Sequence, residues 1–450
     1  MLASSRTIFR SSTSVLHVRC YSSASPLFGT ERSSIQIEGV TYPSDDYTNA
    51  SPTILSKLPY GLHKQPDHPL GIIRNLIESH FDKFTPVIPP SAIVSVRQNF
   101  DELGFADDHP GRAKSDSYYL NKDTVLRTHT SAHEIETFKR GLEKWLLSAD
   151  VYRRDEIDSS HYPVFHQMEG ASVWGPKALK DLPKENQALR DLIASNPSPL
   201  LLDDPTQPLD AVINPSQPEH DEETLQLLVD NLKLSLNSMI LALFRSHTDQ
   251  AGEPLQIRWI NATFPWTAPS YEVEVMFEGK WLEILGCGVV KQDALVRSDV
   301  PEKVGWAFGL GLERLAMILF NIPDIRLFWT QDPRFAAQFA SSRGITQFSP
   351  WSRYPSCNRD LSFWLPDEST STEERLHEND VCDIFRDIAG DMVESVEKFD
   401  EFVHPKTGRR SLSYRVVYRS MERTLTNTEV SELHSKVNDA LIAKFGITIR

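Results

Sequence analysis

Residues 151–170, VYRRDEIDSSHYPVFHQMEG, place two arginines, four acids, two histidines, a glutamine and three aromatics within one short stretch. A core strand cannot carry that many charges, because each unpaired buried ion costs several kcal/mol or more. The pattern reads as strand, polar hairpin loop, strand. Val151 and Tyr152 start the first strand, Asp158, Ser159 and Ser160 make the turn, and Val164 to Met168 alternate back out. Such a loop suits a polyanionic ligand. Arg153 offers a forked, permanently charged donor to a phosphate. Phe165 offers a flat apolar face, and Gln167 and Glu169, two apart on one strand, point to the same side. On this stretch alone, a solvated hairpin with surface ion pairs fits equally well.

The same residues resemble motif 2 of the class II aminoacyl-tRNA synthetases, in the form used by phenylalanyl-tRNA synthetases. Residues 305–314, GWAFGLGLER, resemble motif 3. The resemblance spans nearly all the chain after residue 45. It implies an α+β fold, with an antiparallel-sheet catalytic domain flanked by helices over residues 45–330. A linker at 331–346 and a ferredoxin-like anticodon-binding domain at 347–450 would complete the chain. It also implies an ATP-dependent ligase that joins phenylalanine to tRNA(Phe), with Mg²⁺ as cofactor. The mitochondrial form of the family is a monomer, so no pairing partner is expected. No segment here corresponds to the second, editing subunit of the bacterial and cytosolic enzymes.

Composition agrees with a soluble enzyme. At 450 residues the chain suits two domains plus extensions. Hydrophobic residues make up 40% and charged ones 24%, which is ordinary for a globular protein. No uninterrupted apolar run approaches the roughly 18 residues that span a bilayer, so no membrane partner is expected. The four cysteines are scattered without a CxxC pair, which argues against zinc or a disulfide framework. The formal charge of −15 governs solubility, whereas RNA binding depends on local patches.

Residues 1–24 fit an amphipathic mitochondrial transit peptide, with Arg6, Arg10 and Arg19, many serines and no acid before Glu31, pointing to the mitochondrial matrix. From His68, HPLGIIRNLIESHF reads as a helix with Leu70, Ile73, Leu76 and Ile77 on one face, followed by a proline-ended extended segment at 85–90. That pair resembles class II motif 1. Residues 99–120, NFDELGFADDHPGRAKSDSYYL, resemble a family run with an HPxR core and read as an ordered loop leading to the site. In LRTHTSAHE, His129 and His133 stand at i,i+4, a spacing that puts both on one helix face, but no third metal ligand is near. Residues 176–222 form a proline-rich insertion, partly ordered at best, whose centre carries six prolines and excludes a helix or central strand. A helix follows from about 222 to 247.

Phe264 and Trp266 are two apart and read as a pair facing one way, suited to gripping a flat side chain; family members carry phenylalanine at the second position. Glu283 among Trp281, Leu282, Ile284 and Leu285 reads as a buried acid that needs a partner, and Gly286 and Gly288 leave room at the backbone. The glycines of 309–311 open a helix with Arg314 in its first turn, where the macrodipole gives an arginine nothing and a phosphate partner becomes plausible. They lack the third glycine of a dinucleotide fingerprint. GxxxxGK[ST] and the class I HxGH and KMSKS runs are absent from the sequence.

The resemblance then distributes roles. Arg153 and Arg314 are the catalytic pair, on the α- and γ-phosphates. Asp155, Ser160, His161, Tyr162, Phe165 and Glu283 complete the ATP site, Phe165 stacking adenine against Arg314 and Glu283 serving as metal ligand. His129, Ser131, Gln167 and Glu169 meet the amino acid's ammonium group, and His133 belongs to the amino-acid-binding set. Phe264, Trp266, Ala307 and Phe308 shape its side-chain pocket, where the Ala307 methyl crowds the para position. In the last hundred residues the order is strand, helix, strand, strand, helix, strand, a ferredoxin-like topology. Lys406, Arg409, Arg410, Arg415, Arg419 and Arg423, opposed locally only by Glu422, form its candidate tRNA face. Two other readings are a tRNA-independent adenylating enzyme and a non-catalytic RNA-binding relative. The intact C-terminal domain counts against the first; retention of Arg153, Arg314 and Glu283 counts against the second.

Overall fold

The computed structural model describes residues 34–196, 200–207, 212–251, 254–277, 279–340, 344–350, 354–366 and 376–450. The transit-peptide segment expected at 1–24 lies outside the described residues. An eight-stranded sheet organises the first three quarters of the chain. Its order is Thr85–Val87, Lys144–Tyr152, Val164–Trp174, Val304–Gly311, Lys280–Val290, Thr267–Phe277, Leu255–Phe264 and Leu200–Asp203. The six inner strands are antiparallel, and the short strand at each edge joins its neighbour in parallel.

The decisive stretch joins the second and third strands of this sheet, and its first boundary differs from the expected one. Val151 and Tyr152 end a strand that begins at Lys144, and the return strand runs on to Trp174. Both continue because the residues outside the charged loop are apolar and buried, including Trp145, Leu147, Val164 and Met168. The helix Glu222–Ala251 covers the sheet with Leu225, Leu228, Leu232, Leu236 and Ile240, all buried in one core with the sheet. The helix Pro69–His80 adds Leu70, Ile73 and Ile77; His68 caps its N-terminus by accepting from the Leu70 N–H. Pro69 costs nothing there, since its missing N–H falls among the unsatisfied ones of the first turn.

Two segments are more structured than their composition implies. The insertion contains the helix Leu182–Ala194 and the edge strand Leu200–Asp203, parallel to Leu255–Arg258. Its Asp204 accepts from the buried Lys233 Nζ at 2.8 Å. The strand stands at the sheet's edge, pairing on one side only. The supposed linker is also docked, because Phe335 and Phe339 bury themselves in the catalytic core.

The C-terminal sheet runs Val393–Val403, Arg410–Tyr418, Cys357–Trp364 and Thr448–Ile449. The helices Glu378–Ala389 and Asn427–Phe445 share a second core with Leu361, Phe363, Tyr414 and Val416. Capping boxes open both helices, through His377 with Asp380 and Thr426 with Glu429. This domain seats directly on the charged loop. Arg154 donates to Asp383 at 2.6 Å and Asp380 at 2.7 Å, and Arg386 donates back to the carbonyls of Asp155 and Glu156. Ile157 is buried in the C-terminal core, and its carbonyl accepts from the Val396 N–H. The loop is therefore clamped between domains rather than solvated.

Candidate active site

Alternation across the central strands aims one set of side chains at two adjoining cavities. The first, about 220 Å³, is lined by His129, Ser131, Gln167, Glu169, Phe264, Trp266, Ala307 and Phe308 among others. The second, about 330 Å³, is lined by Asp155, Ser160, His161, Tyr162, Phe165, Glu283 and Arg314 among others. Arg153, Gln167, Glu283 and Gly309 border both. A group held in one cavity thus meets a group held in the other beneath the Arg153 guanidinium.

The inner cavity combines polar and aromatic walls. The Ser131 hydroxyl donates to Glu169 Oε2 at 2.9 Å, and the Thr130 N–H donates to Gln167 Oε1 at 3.2 Å. Glu169 is 2% exposed, and among the described residues its Oε1 has no well-aligned donor, the Thr130 hydroxyl being the nearest one at hand. Burial raises its carboxyl to about 7. A cation brought into the cavity would complete that carboxylate. His129 is also buried; burial, reinforced by Arg153, lowers its ring to about 3, so it is a neutral imidazole. Trp266 stands in the turn between strands rather than on one, yet its ring stacks on Phe264 at 6.0 Å and 21°. Gly286 serves this wall, since a Cβ there would lie 2.7 Å from the Phe264 ring. The room expected at Gly286 and Gly288 is thus filled by protein: Thr267 and the Pro269 carbonyl occupy the second position.

His133 does not reach the cavity. It turns to Arg127, whose Nη1 donates to His133 Nε2 at 2.9 Å. Residues 130–133 form one tight 3-10 turn with His129 outside it, so the two histidines do not share a helix face. Arg127 also grips Asp150 at 2.7 Å, bracing the loop against the central strand.

In the outer cavity Arg153 donates through Nε to the Thr128 carbonyl at 2.7 Å, and its guanidinium lies 5.3 Å from the Phe165 ring centre. Arg314 donates to the Glu283 carbonyl at 3.0 Å, with the Glu283 carboxylate 3.7 Å away. Glu283 is not buried: its side chain is 50% exposed, because a register shift opposite Glu274 turns it to the open face. His161 Nδ1 lies 2.7 Å from Asp158 Oδ2, and that hydrogen bond, against partial burial, raises the imidazole's pKa. Two arginines around one cavity, with the loop histidine beside them, form an anion site. Glu313 ties the two signature elements together by accepting from His166 N at 2.8 Å and Nδ1 at 2.7 Å.

Gly309 was the residue least visible in the sequence. It read as part of a helix start, but it lies on a strand, and a Cβ built there meets nothing within 4 Å. It keeps the passage between the cavities open.

The six candidate RNA contacts are not a bare basic face. Arg410 pairs with Glu401 at 2.5 Å, Arg415 with Asp360 at 2.9 Å, Arg419 with Glu394 at 3.0 Å and Arg423 with Glu429 at 2.8 Å. Arg409 lies over the Trp364 ring, and Lys406 is exposed on the preceding turn. The opposing acids come from other strands and helices, out of reach of a local charge count.

Comparison with known proteins agrees with this arrangement. The family model described as "tRNA synthetases class II core domain (F)" matches residues 61–189 and 222–339, and "Ferredoxin-fold anticodon binding domain" matches 352–450. The chain is 42% identical to the mitochondrial phenylalanine–tRNA ligase of Saccharomyces cerevisiae, covering 92% of this chain and 95% of that one. It is 41% identical to the mitochondrial enzyme of Mus musculus, over 94% and 91%. It is 42% identical to the chloroplastic/mitochondrial enzyme of Arabidopsis thaliana, over 90% and 84%.

Proposed function

Since the chain belongs to the phenylalanine–tRNA ligase family of class II aminoacyl-tRNA synthetases, we propose that its two cavities hold phenylalanine and ATP and that its product is phenylalanyl-tRNA(Phe) in the mitochondrial matrix. The observation that carries the assignment is the shared border. Arg153 lines both cavities, where the amino acid's carboxylate must meet the α-phosphate. That carboxylate attacks the α-phosphorus, pyrophosphate leaves, and the terminal adenosine of the tRNA then takes the acyl group with loss of AMP. Neither step requires a protein nucleophile; both require alignment and stabilisation of developing negative charge.

In this reading Gln167, Glu169 and Ser131 receive the ammonium group. Phe264, Trp266, Ala307 and Phe308 enclose the ring. Arg153, His161 and Arg314 neutralise phosphate, and Phe165 faces the adenine. Arg314 rests on Glu283 and exchanges that partner for phosphate. Among the described residues no group of three or more His, Cys, Asp or Glu is arranged as a metal cage. The half-exposed Glu283 carboxylate suits a magnesium ion carried mainly by phosphate oxygens, which would supply charge neutralisation. The ferredoxin-fold domain contacts the tRNA, and the single chain acts as a monomer.

The test is amino-acid-dependent ATP–pyrophosphate exchange on the purified chain lacking residues 1–24. Exchange with phenylalanine, and at least a hundredfold less with tyrosine, is expected. A folded protein that gives no phenylalanine-dependent exchange overturns the assignment.

A further inference from the structure

Residues 99–112 are built with care yet touch neither cavity. Arg112 Nη2 pairs with Asp101 and donates to the Phe105 carbonyl at 3.0 Å, while its guanidinium lies 5.2 Å from the Phe100 ring centre. The Tyr119 hydroxyl donates to the Arg112 carbonyl at 2.7 Å, and His109 Nδ1 accepts from the Gly111 N–H. These ties converge on one side chain. Phe105 is gripped edge-on by His109 at 4.6 Å and by Phe100 at 5.5 Å. Its free face stacks on His129 at 5.5 Å and 14°, and it lies 5.6 Å from Trp266. His129 and Trp266 are themselves 5.5 Å apart at 21°.

Three rings thus pack together, Phe105 and Trp266 each stacked on His129 and tilted 34° to one another, and only two of them line the amino-acid cavity. His129 makes the third significant, because among the described residues neither of its buried ring nitrogens has a well-formed hydrogen bond, the Asn99 backbone being the polar group at hand. An imidazole normally takes its orientation from its hydrogen bonds. Here the ring faces, with the Asn99 backbone at the start of the same loop, are left to set it. Trp266 is similarly placed in a turn, with the rings of Phe264, His129 and Phe105 around it.

We propose that Phe105 is a positioning residue for amino-acid binding: it fixes the His129 imidazole and the Trp266 indole from behind, and the 99–112 loop is the splint that presents it. This rests on the phenylalanine-pocket assignment above. Ring stacking beyond simple burial is worth roughly a three- to tenfold change in an equilibrium, and the effect belongs on amino-acid affinity.

The test compares wild type with Phe105→Leu, Phe105→Ala and Phe105→Tyr in pyrophosphate exchange, after matched melting curves. Phe105→Leu retains the apolar volume and loses the ring; Phe105→Tyr retains the ring. The expected result is a KM for phenylalanine raised roughly three- to tenfold in the leucine variant and more in the alanine one. The KM for ATP and kcat should stay near wild type, and tyrosine should restore binding. A leucine variant that binds phenylalanine like wild type overturns the proposal. So does one in which both KM values and kcat worsen together, which would mark general loosening. If Phe105→Ala does not fold, the leucine–tyrosine pair still decides. Absence of phenylalanine-dependent exchange in wild type would defeat the pocket assignment itself, a result separate from any difference among the variants.

Discussion

Glu169 shows how one residue's surroundings set a condition on activity. Its carboxyl is raised to about 7 by burial, while the form that pairs with an ammonium group is the carboxylate. As pH falls through the raised titration of Glu169, which faces the buried Glu134 carboxyl, kcat/KM for phenylalanine should therefore drop, while the KM for ATP stays flat. Glu169→Gln should lower kcat/KM and flatten its pH profile; an unchanged profile in that variant would assign the titration elsewhere. The stability sign is the reverse. A buried acid with a raised pKa favours the protonated fold, so its contribution is complete below the unfolded value of about 4.5 and is lost as pH rises through 7. Ala307 gives the matching test of shape. It is 4% exposed in the cavity wall, and Ala307→Gly should improve activation of para-chlorophenylalanine about tenfold or more. No gain would remove its methyl from the pocket. At this scale the sequence was most informative where strand alternation alone fixes the side a residue faces. Arg153, Gln167, Glu169 and Arg314 reach the cavities expected of them. His133 does not, because its role depends on Arg127, a partner that spacing cannot reveal.

The element that carries most is the loop between the two central strands. Its neighbouring arginines serve different domains: Arg153 faces the cavities and Arg154 turns to Asp380 and Asp383. Arg154 is 8% exposed, so removing it leaves Asp380 without its cationic partner at a largely dry interface, while Asp383 keeps Arg386. Breaking such a pair costs about 3 kcal/mol. Arg154→Ala should lower the melting temperature and make the C-terminal domain susceptible to proteolysis before the catalytic core. A single unfolding transition at the wild-type temperature would show that the clamp is dispensable. Helix and strand identity was legible because the 3.6- and 2-residue periodicities are local properties. The docked linker and the edge strand of the insertion were not. Both take their structure from distant partners, Phe335 from the catalytic core and Leu200–Asp203 from the strand Leu255–Phe264.

For the molecule as a whole, a formal charge of −15 coexists with a domain family that binds RNA. The pairing of Arg410, Arg415, Arg419 and Arg423 with acids from other elements reconciles the two. A bare cluster of cations attracts any polyanion and gains entropy by shedding mobile salt ions from it. These arginines instead carry tethered counterions of their own, and an arriving phosphate must take over each carboxylate's place. The trade is close to even at any single position. It becomes favourable only for a nucleic acid whose shape presents phosphates at several positions together. On the proposed reading the paired acids act as a filter, and selectivity among RNAs begins with the carboxylates that the ligand has to replace.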